Sequence, residues 1–387
     1  MKHLYILIGN GSSIGIIQSI NENRRAQGLP DLNIDLTNLF KYGDYFNFPM
    51  TNDPFLSPEH TPILWQLGAR PGMDKAQANT IISQIITCGN VYALAAYEEE
   101  IVSRNNFNQF LDIFSSDENN ATGTQVTKPS LPTYAQNNSF FIPKFGESEV
   151  INKLYFSAYG ELSSYLRYLI IYYNSQVTDQ DLANIEVGII NYIKKNGNNF
   201  SKIIFNSYNY DIFMERLLMV NQIPFTLGTF SQEPNKVLFY KPHGSISFSY
   251  KEAYKPGTEY KIPYHELSFQ QKIKTDEFNI KYFFTDDYPK HNGLVPPYGE
   301  AERYEIAYYQ KIRNTLIKAA TFSQPDDVYF IIGNAYGNVD RFELDRINTS
   351  YNKWINVTYV DPFPNNDYQA VLSSLFYHYT QTPVFPE

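Results

Sequence analysis

Leu4-Tyr5-Ile6-Leu7-Ile8-Gly9-Asn10-Gly11-Ser12-Ser13-Ile14-Gly15 is the stretch from which the fold is read. Its first five residues form an apolar run without a charged interruption, which suits a core strand of a sheet covered on both faces. The glycines then turn the chain, and a helix is expected through about Gln27. Strand, glycine turn and helix in that order offer backbone N–H groups and a helix N-terminus to a phosphate; a tight turn with no ligand has the same sequence.

Working outward, the same grammar returns after residue 198. Lys202–Asn206 reads as a strand that runs into Ser207-Tyr208-Asn209-Tyr210-Asp211, with a helix from Asp211 to Val220. Pro224–Gly228 and Val237–Pro242 read as strands, the second leading into His243-Gly244-Ser245. A helix is expected over Glu302–Ala320, with Ile306, Tyr309, Ile312, Leu316 and Ala320 on its buried side. Val328–Ile332 is a buried-strand run that ends in Gly333-Asn334; a helix at Val339–Asn348 and a last strand at Val357–Val360 follow, before Asp361-Pro362.

Between these two parts the periodicity is helical. Asp74 to about Glu100 carries Ile81, Ile82, Ile85 and Ile86 on one face, and Phe107–Phe114 extends the pattern. Polar Ser115–Ser139, with Pro129 and Pro132, reads as a long exposed loop. Helices are expected at Glu147–Tyr173 and Asp179–Asn196, the second capped by Thr178, whereas Phe40–Pro62 looks loop-like. The expected fold is therefore α/β: a Rossmann-like parallel sheet in 1–63 and 199–387, with a mainly helical insertion at 64–198.

Composition narrows the function. A net charge of -9 over 387 residues argues against a surface built to neutralise nucleic-acid phosphates. The single cysteine, Cys88, excludes an internal disulfide and a four-cysteine zinc ribbon, and the six histidines show no metal-ligand spacing, so no metal is expected. No stretch approaches the ~18 apolar residues of a membrane span, and the amino terminus lacks a signal-peptide pattern, so a cytoplasmic location is expected.

Ligands of open parallel sheets bind at the carboxyl ends of the strands, where this chain collects its chemistry. His243 sits between a stiff proline and a glycine and can titrate near neutral pH. Ser207, Asn209 and Asp211 offer hydroxyl, amide and carboxylate; Asp211 equally suits capping the helix behind it. Gly333, Asn334 and Asp361 suit a ribose and its base, or simple strand-to-helix turns. Asp31 suits a ligand or a loop cap, while Lys311, Arg313 and Lys318 read as a solvated helix face.

Taken together these segments resemble the sirtuin family. Gly9-Asn10-Gly11-Ser12-Ser13 is similar to its G-A-G-x-S loop, and Gly28-Leu29-Pro30-Asp31 to its G-I/L-P-D segment. Ser207-Tyr208-Asn209-Tyr210-Asp211 resembles T-x-N-x-D, and His243-Gly244 the His-Gly element. Ile332-Gly333-Asn334 and Val360-Asp361-Pro362 resemble the closing I-G-x-S and V-D/N elements, all in family order. The missing zinc cysteines, and Tyr208 where deacylases have glutamine, point away from peptide substrates and toward the sirtuin-like NAD+ hydrolases of bacterial antiphage systems.

That resemblance implies an NAD+ hydrolase that releases nicotinamide and ADP-ribose and starves an infected cell of NAD+. It implies catalytic roles for Asn209, which orients ribose or water, His243, the general base, and Asp211, which accepts from the carboxamide. Gly9, Asn10, Gly11, Ser13, Asp31, Ser207, Gly244, Gly333, Asn334 and Asp361 would bind the dinucleotide. A homo-oligomer and a separate regulator such as a HerA-type hexameric ATPase are the expected partners, with assembly through the helical insertion. The competing functions are a deacylase or ADP-ribosyltransferase, and a non-catalytic scaffold that binds NAD+ or ADP-ribose.

Overall fold

The short apolar runs pair side by side as parallel strands. The computed structural model describes residues 2–49, 51–86, 147–228, 235–253, 278–284, 290–294, 307–337 and 340–386. In chain order the strands are β1 (Lys2–Ile8), β2 (Phe200–Ser207), β3 (Phe225–Leu227), β4 (Val237–Tyr240), β5 (Gly244–Ala253), β6 (Phe278–Ile280), β7 (Lys290–Leu294), β8 (Val328–Ile332), β9 (Asn356–Val360) and β10 (His378–Thr382). Seven of them form one parallel sheet in the order β10-β9-β8-β1-β2-β4-β3, with β1 between β2 and β8. This is the α/β, Rossmann-like arrangement expected of the opening strand and turn.

The helices are α1 (Asn10–Ala26), α2 (Pro62–Gln66), α3 (75–86), α4 (Glu147–Gln176), α5 (Asp179–Ala183), α6 (Gly188–Asn196), α7 (Phe213–Val220), α8 (Ala307–Thr321), α9 (Arg341–Ser350) and α10 (Asn366–Leu375). Their apolar faces meet the sheet in one continuous core that contains Leu4–Ile8, Phe205 and Phe239, the last two stacked 5.1 Å apart. On α8 the side chains of Tyr309, Ile312, Leu316 and Ala320 are buried as the 3.6-residue period requires. Ile306 lies outside the described residues, as do the expected helix at Phe107–Phe114 and the loop at Ser115–Ser139.

Several expectations need correction. The helix expected at Asp179–Asn196 is two: Thr178 forms a capping box with Asp181 at the start of α5, but Asn184 ends that segment and its carbonyl accepts from Asn23 Nδ2 at 2.8 Å. Helix α7 starts at Phe213 rather than Asp211, because Asp211 Oδ1 accepts from the Phe213 N–H at 3.0 Å and so stands outside the helix. The stretch after His243 is β5, the centre of a three-stranded antiparallel sheet ordered β6-β5-β7. The chain also adds α10 and β10 after what had read as the last strand.

Helix α4 joins the two sheets. Its Arg167, fully buried, donates to the Ile246 carbonyl and to Ser249 Oγ of β5, each at 2.9 Å. Tyr165 and Tyr173 on the same helix donate to the Leu39 and Asp35 carbonyls at 2.7 and 3.1 Å, which pins residues 35–39 beside the sheet. The aromatic loop Phe40–Pro62 is folded into this contact: Phe40 and Phe55 are fully buried against Tyr165.

The first turn is held by backbone against backbone. Gly9 N–H donates to the Ile332 carbonyl at 3.0 Å and Gly11 N–H to the Gly333 carbonyl at 2.8 Å. A Cβ on Gly333, whose φ is +58°, would stand 2.3 Å from the Ser12 nitrogen. Gly333→Ala is therefore expected to cost at least about 2 kcal/mol of folding stability, from left-handed strain and overpacking combined. Urea unfolding of the two proteins checks this.

Candidate active site

At the carboxyl ends of β1, β2, β4 and β8 the chain encloses a cavity of roughly 350 Å³, within the size range of small-molecule sites. These four strands are neighbours, and the strand order reverses beside β1, the place where such sheets hold ligands. The polar floor comes from Gly9 and Asn10, from Tyr208 to Asp211, from His243, and from Asn334 to Gly337 with Asp340. The largely apolar roof comes from Leu36, Thr37 and Leu39, from Asn79, Ile82 and Ile86 of α3, and from Leu162, Leu166, Leu169, Ile170 and Tyr173 of α4.

Asn209 ties the floor together. Its Nδ2 donates to the Gly9 carbonyl at 3.0 Å and to Ser13 Oγ at 2.8 Å, with Ser12 Oγ at 3.3 Å. The Gly9 carbonyl can only accept, so the amide orientation is decided and Oδ1 is the end that Asn209 keeps for a ligand. Ser13 Oγ in turn donates to Asp211 Oδ2 at 2.7 Å, and Asp211 Oδ1 accepts from the Phe213 N–H at the start of α7. The N-cap of α7 is Ile212, so Asp211 holds the first helical N–H from one residue before the cap, and it also stands on the cavity wall.

His243 is 3% exposed and is held from three sides. Gly244, at φ +80°, makes the turn that projects it from the end of β4. Its Nε2 lies 2.9 Å from Glu343 Oε2, Nδ1 lies 3.8 Å from Asp340 Oδ1, and the Tyr208 ring meets it edge-on at 4.6 Å. Glu343 Oε1 accepts from Arg313 Nε at 3.1 Å. Burial opposes the Glu343 charge, but Arg313 and His243 outweigh it and hold the carboxyl at about 2. Burial pushes the Asp340 carboxyl up, against the pull of His243.

Arg313 corrects the reading of its helix as a solvated face. Lys311 and Lys318 are exposed, but Arg313 is buried. Arg313, Glu343 and Asp340 were missed as site residues because only the packing of α8 against α9 brings them to His243. The sole hint in the sequence was the acidic pair Asp340 and Glu343 just after Gly333-Asn334.

The remaining expected ligand-binding residues divide by position. Gly9, Asn10, Asn209, Asp211, His243 and Asn334 line the cavity together. Gly11, Ser13, Ser207 and Gly333 stand behind its wall, where Gly11 and Gly333 bond each other and Ser207 Oγ accepts from the Asn209 N–H at 3.4 Å. Asp361 closes its own turn by accepting from the Phe363 N–H at 2.8 Å, and it is not on the lining. Asp31 is half exposed, pairs with Arg25 at 3.2 Å, and is also absent from the lining, so its place favours the loop role.

No protein-family model and no curated protein matches this chain. No helix among the described residues is long and apolar enough to cross a membrane.

Because Glu343 is held at about 2 against an ordinary 4.5, the folded state is the weaker proton binder. Its contribution, on the order of 3 kcal/mol, is present above about pH 4.5 and is lost as pH falls toward 2. Urea unfolding across that window is expected to show this loss, and Glu343→Gln to lack that part of the pH dependence.

Proposed function

We propose that this protein is an NAD+ hydrolase that cleaves the nicotinamide–ribose bond to give nicotinamide and ADP-ribose. The observation that carries the reading is the convergence of Asn209, Asp211 and His243 on one cavity with Gly9, Asn10 and Asn334. These six are among the thirteen residues that the sirtuin resemblance marks, and they come from four separate strand ends.

The substrate fits the chemistry of the wall. Among the described lining residues the charged groups are Asp211 and Asp340, which suits the cationic pyridinium of NAD+. The diphosphate would lie toward Gly9 and Asn10 at the N-terminus of α1, whose first turn carries no acidic residue to repel it. In the reaction the C1′–N bond breaks, its electron pair leaves with nicotinamide, and a water oxygen bonds to C1′. His243 takes a proton from that water, Asn209 Oδ1 orients the water or a ribose hydroxyl, and Asp211 accepts from the carboxamide. The apolar roof keeps competing water from the oxocarbenium-like transition state.

The family resemblance extends the proposal to antiphage defence by NAD+ depletion, with homo-oligomer assembly and a separate HerA-type ATPase as regulator. Purified protein incubated with NAD+, with and without its genomic neighbour, is expected to release nicotinamide and ADP-ribose in equal amounts. Asn209→Ala and His243→Ala are each expected to lower turnover at least about 100-fold with circular dichroism unchanged. Wild-type NAD+ that stays intact under both conditions sinks the proposal.

A further inference from the structure

His243 has two ring nitrogens, and a general base needs one of them bare and facing the reacting atoms. Glu343 decides which. The Nε2 to Oε2 distance of 2.9 Å is a hydrogen bond, and a carboxylate can only accept, so Nε2 carries the proton. The lone pair of the neutral ring is then on Nδ1, which lies 3.8 Å from Asp340 Oδ1, a cavity-wall residue, and makes no hydrogen bond to it.

Glu343 is itself locked. Its other oxygen accepts from Arg313 Nε at 3.1 Å, and Arg313 Nη2 reaches the Pro242 carbonyl, one residue before His243, at 3.4 Å. The guanidinium thus braces both the carboxylate and the backbone of the turn that bears the imidazole. We infer that Glu343, braced by Arg313, is the positioning residue that keeps His243 in its Nε2-protonated tautomer and so makes Nδ1 the proton acceptor at the cavity.

The charged and titratable groups around the ring are Glu343 on α9, Asp340 just before it, Arg313 on α8 and the Tyr208 hydroxyl after β2. Asp340 faces Nδ1 across the space that a water must enter. Once Nδ1 has taken a proton, Asp340 and Glu343 flank the imidazolium on its two sides, which stabilises the charged product of proton transfer. The role of Nδ1 as base rests on the proposed hydrolysis; the tautomer does not.

The two parts are tested separately on the full chain. Long-range 1H–15N correlation spectra of 15N-histidine protein report the tautomer, with the His243 signal assigned by its loss in His243→Gln among six histidines. The neutral ring is expected to be protonated at Nε2; protonation at Nδ1 in the wild type overturns the inference without any variant or substrate. In Glu343→Gln the imidazolium formed on proton transfer loses its carboxylate, so kcat for NAD+ cleavage is expected to fall at least about 10-fold with KM within about twofold of the wild type. A kcat within about twofold of the wild type, in a variant that keeps its fold, overturns the positioning role. If the protein cleaves no NAD+ at all, the proposed function fails, while the tautomer measurement still decides the role of Glu343.

Discussion

Everything at the carboxyl edge of the sheet depends on how closely two turns approach. The backbone after β1 and the backbone after β8 touch with no side chain between them, since a Cβ on Gly9 would lie 2.6 Å from the Gly333 carbonyl oxygen and one on Gly11 only 2.8 Å from it. The contact brings Asn334 beside Gly9 and gives the cavity its floor. It also revises the meaning of the glycine turn. The Gly9 and Gly11 amides are engaged by the Ile332 and Gly333 carbonyls, so the glycines serve first to let two strand ends meet, and Asn10 is left to a ligand.

Around that contact the polar groups are held by partners rather than by solvent. Asn209, Ser13 and Asp211 form a hydrogen-bonded row from the first turn to α7. Beneath it Lys241, fully buried, pairs with Glu215 at 2.9 Å and donates to the Asp211 carbonyl. Burial raises the Glu215 carboxyl and Lys241 pulls against it, the balance expected of a buried ion pair. In the His243, Glu343 and Arg313 row the balance falls the other way, and the Glu343 carboxyl is lowered. Both rows hold their side chains in one orientation.

The roof has a different origin. Helices α3 and α4 supply isoleucines, leucines and Tyr173, so the cavity is polar below and apolar above. The same α4 carries Arg167 into β5, which means that the small antiparallel sheet, the long helix and the cavity form one packed unit. Within the proposed reaction this asymmetry lets the floor bind and orient while the roof limits water.

By itself the sequence determined the strands of the main sheet other than the edge strand β10, the glycine turn and the residues at the strand ends. Uninterrupted apolar runs such as Leu4–Ile8 and Val328–Ile332 encode burial locally, and the polar residues that stop them mark where a ligand can be reached. It did not determine β5, because Ser245, Ser247 and Ser249 alternate with Ile246 and Phe248 in a run that looks half solvated, yet all five are buried beneath α4. Nor did it determine the partners of His243. Glu343 is 100 residues away along the chain, and Arg313 sits on a helix whose charges read as solvated. Only the packing of α8 and α9 against the end of β4 brought them together, because a local pattern records whether a residue is buried and not which distant residue it meets.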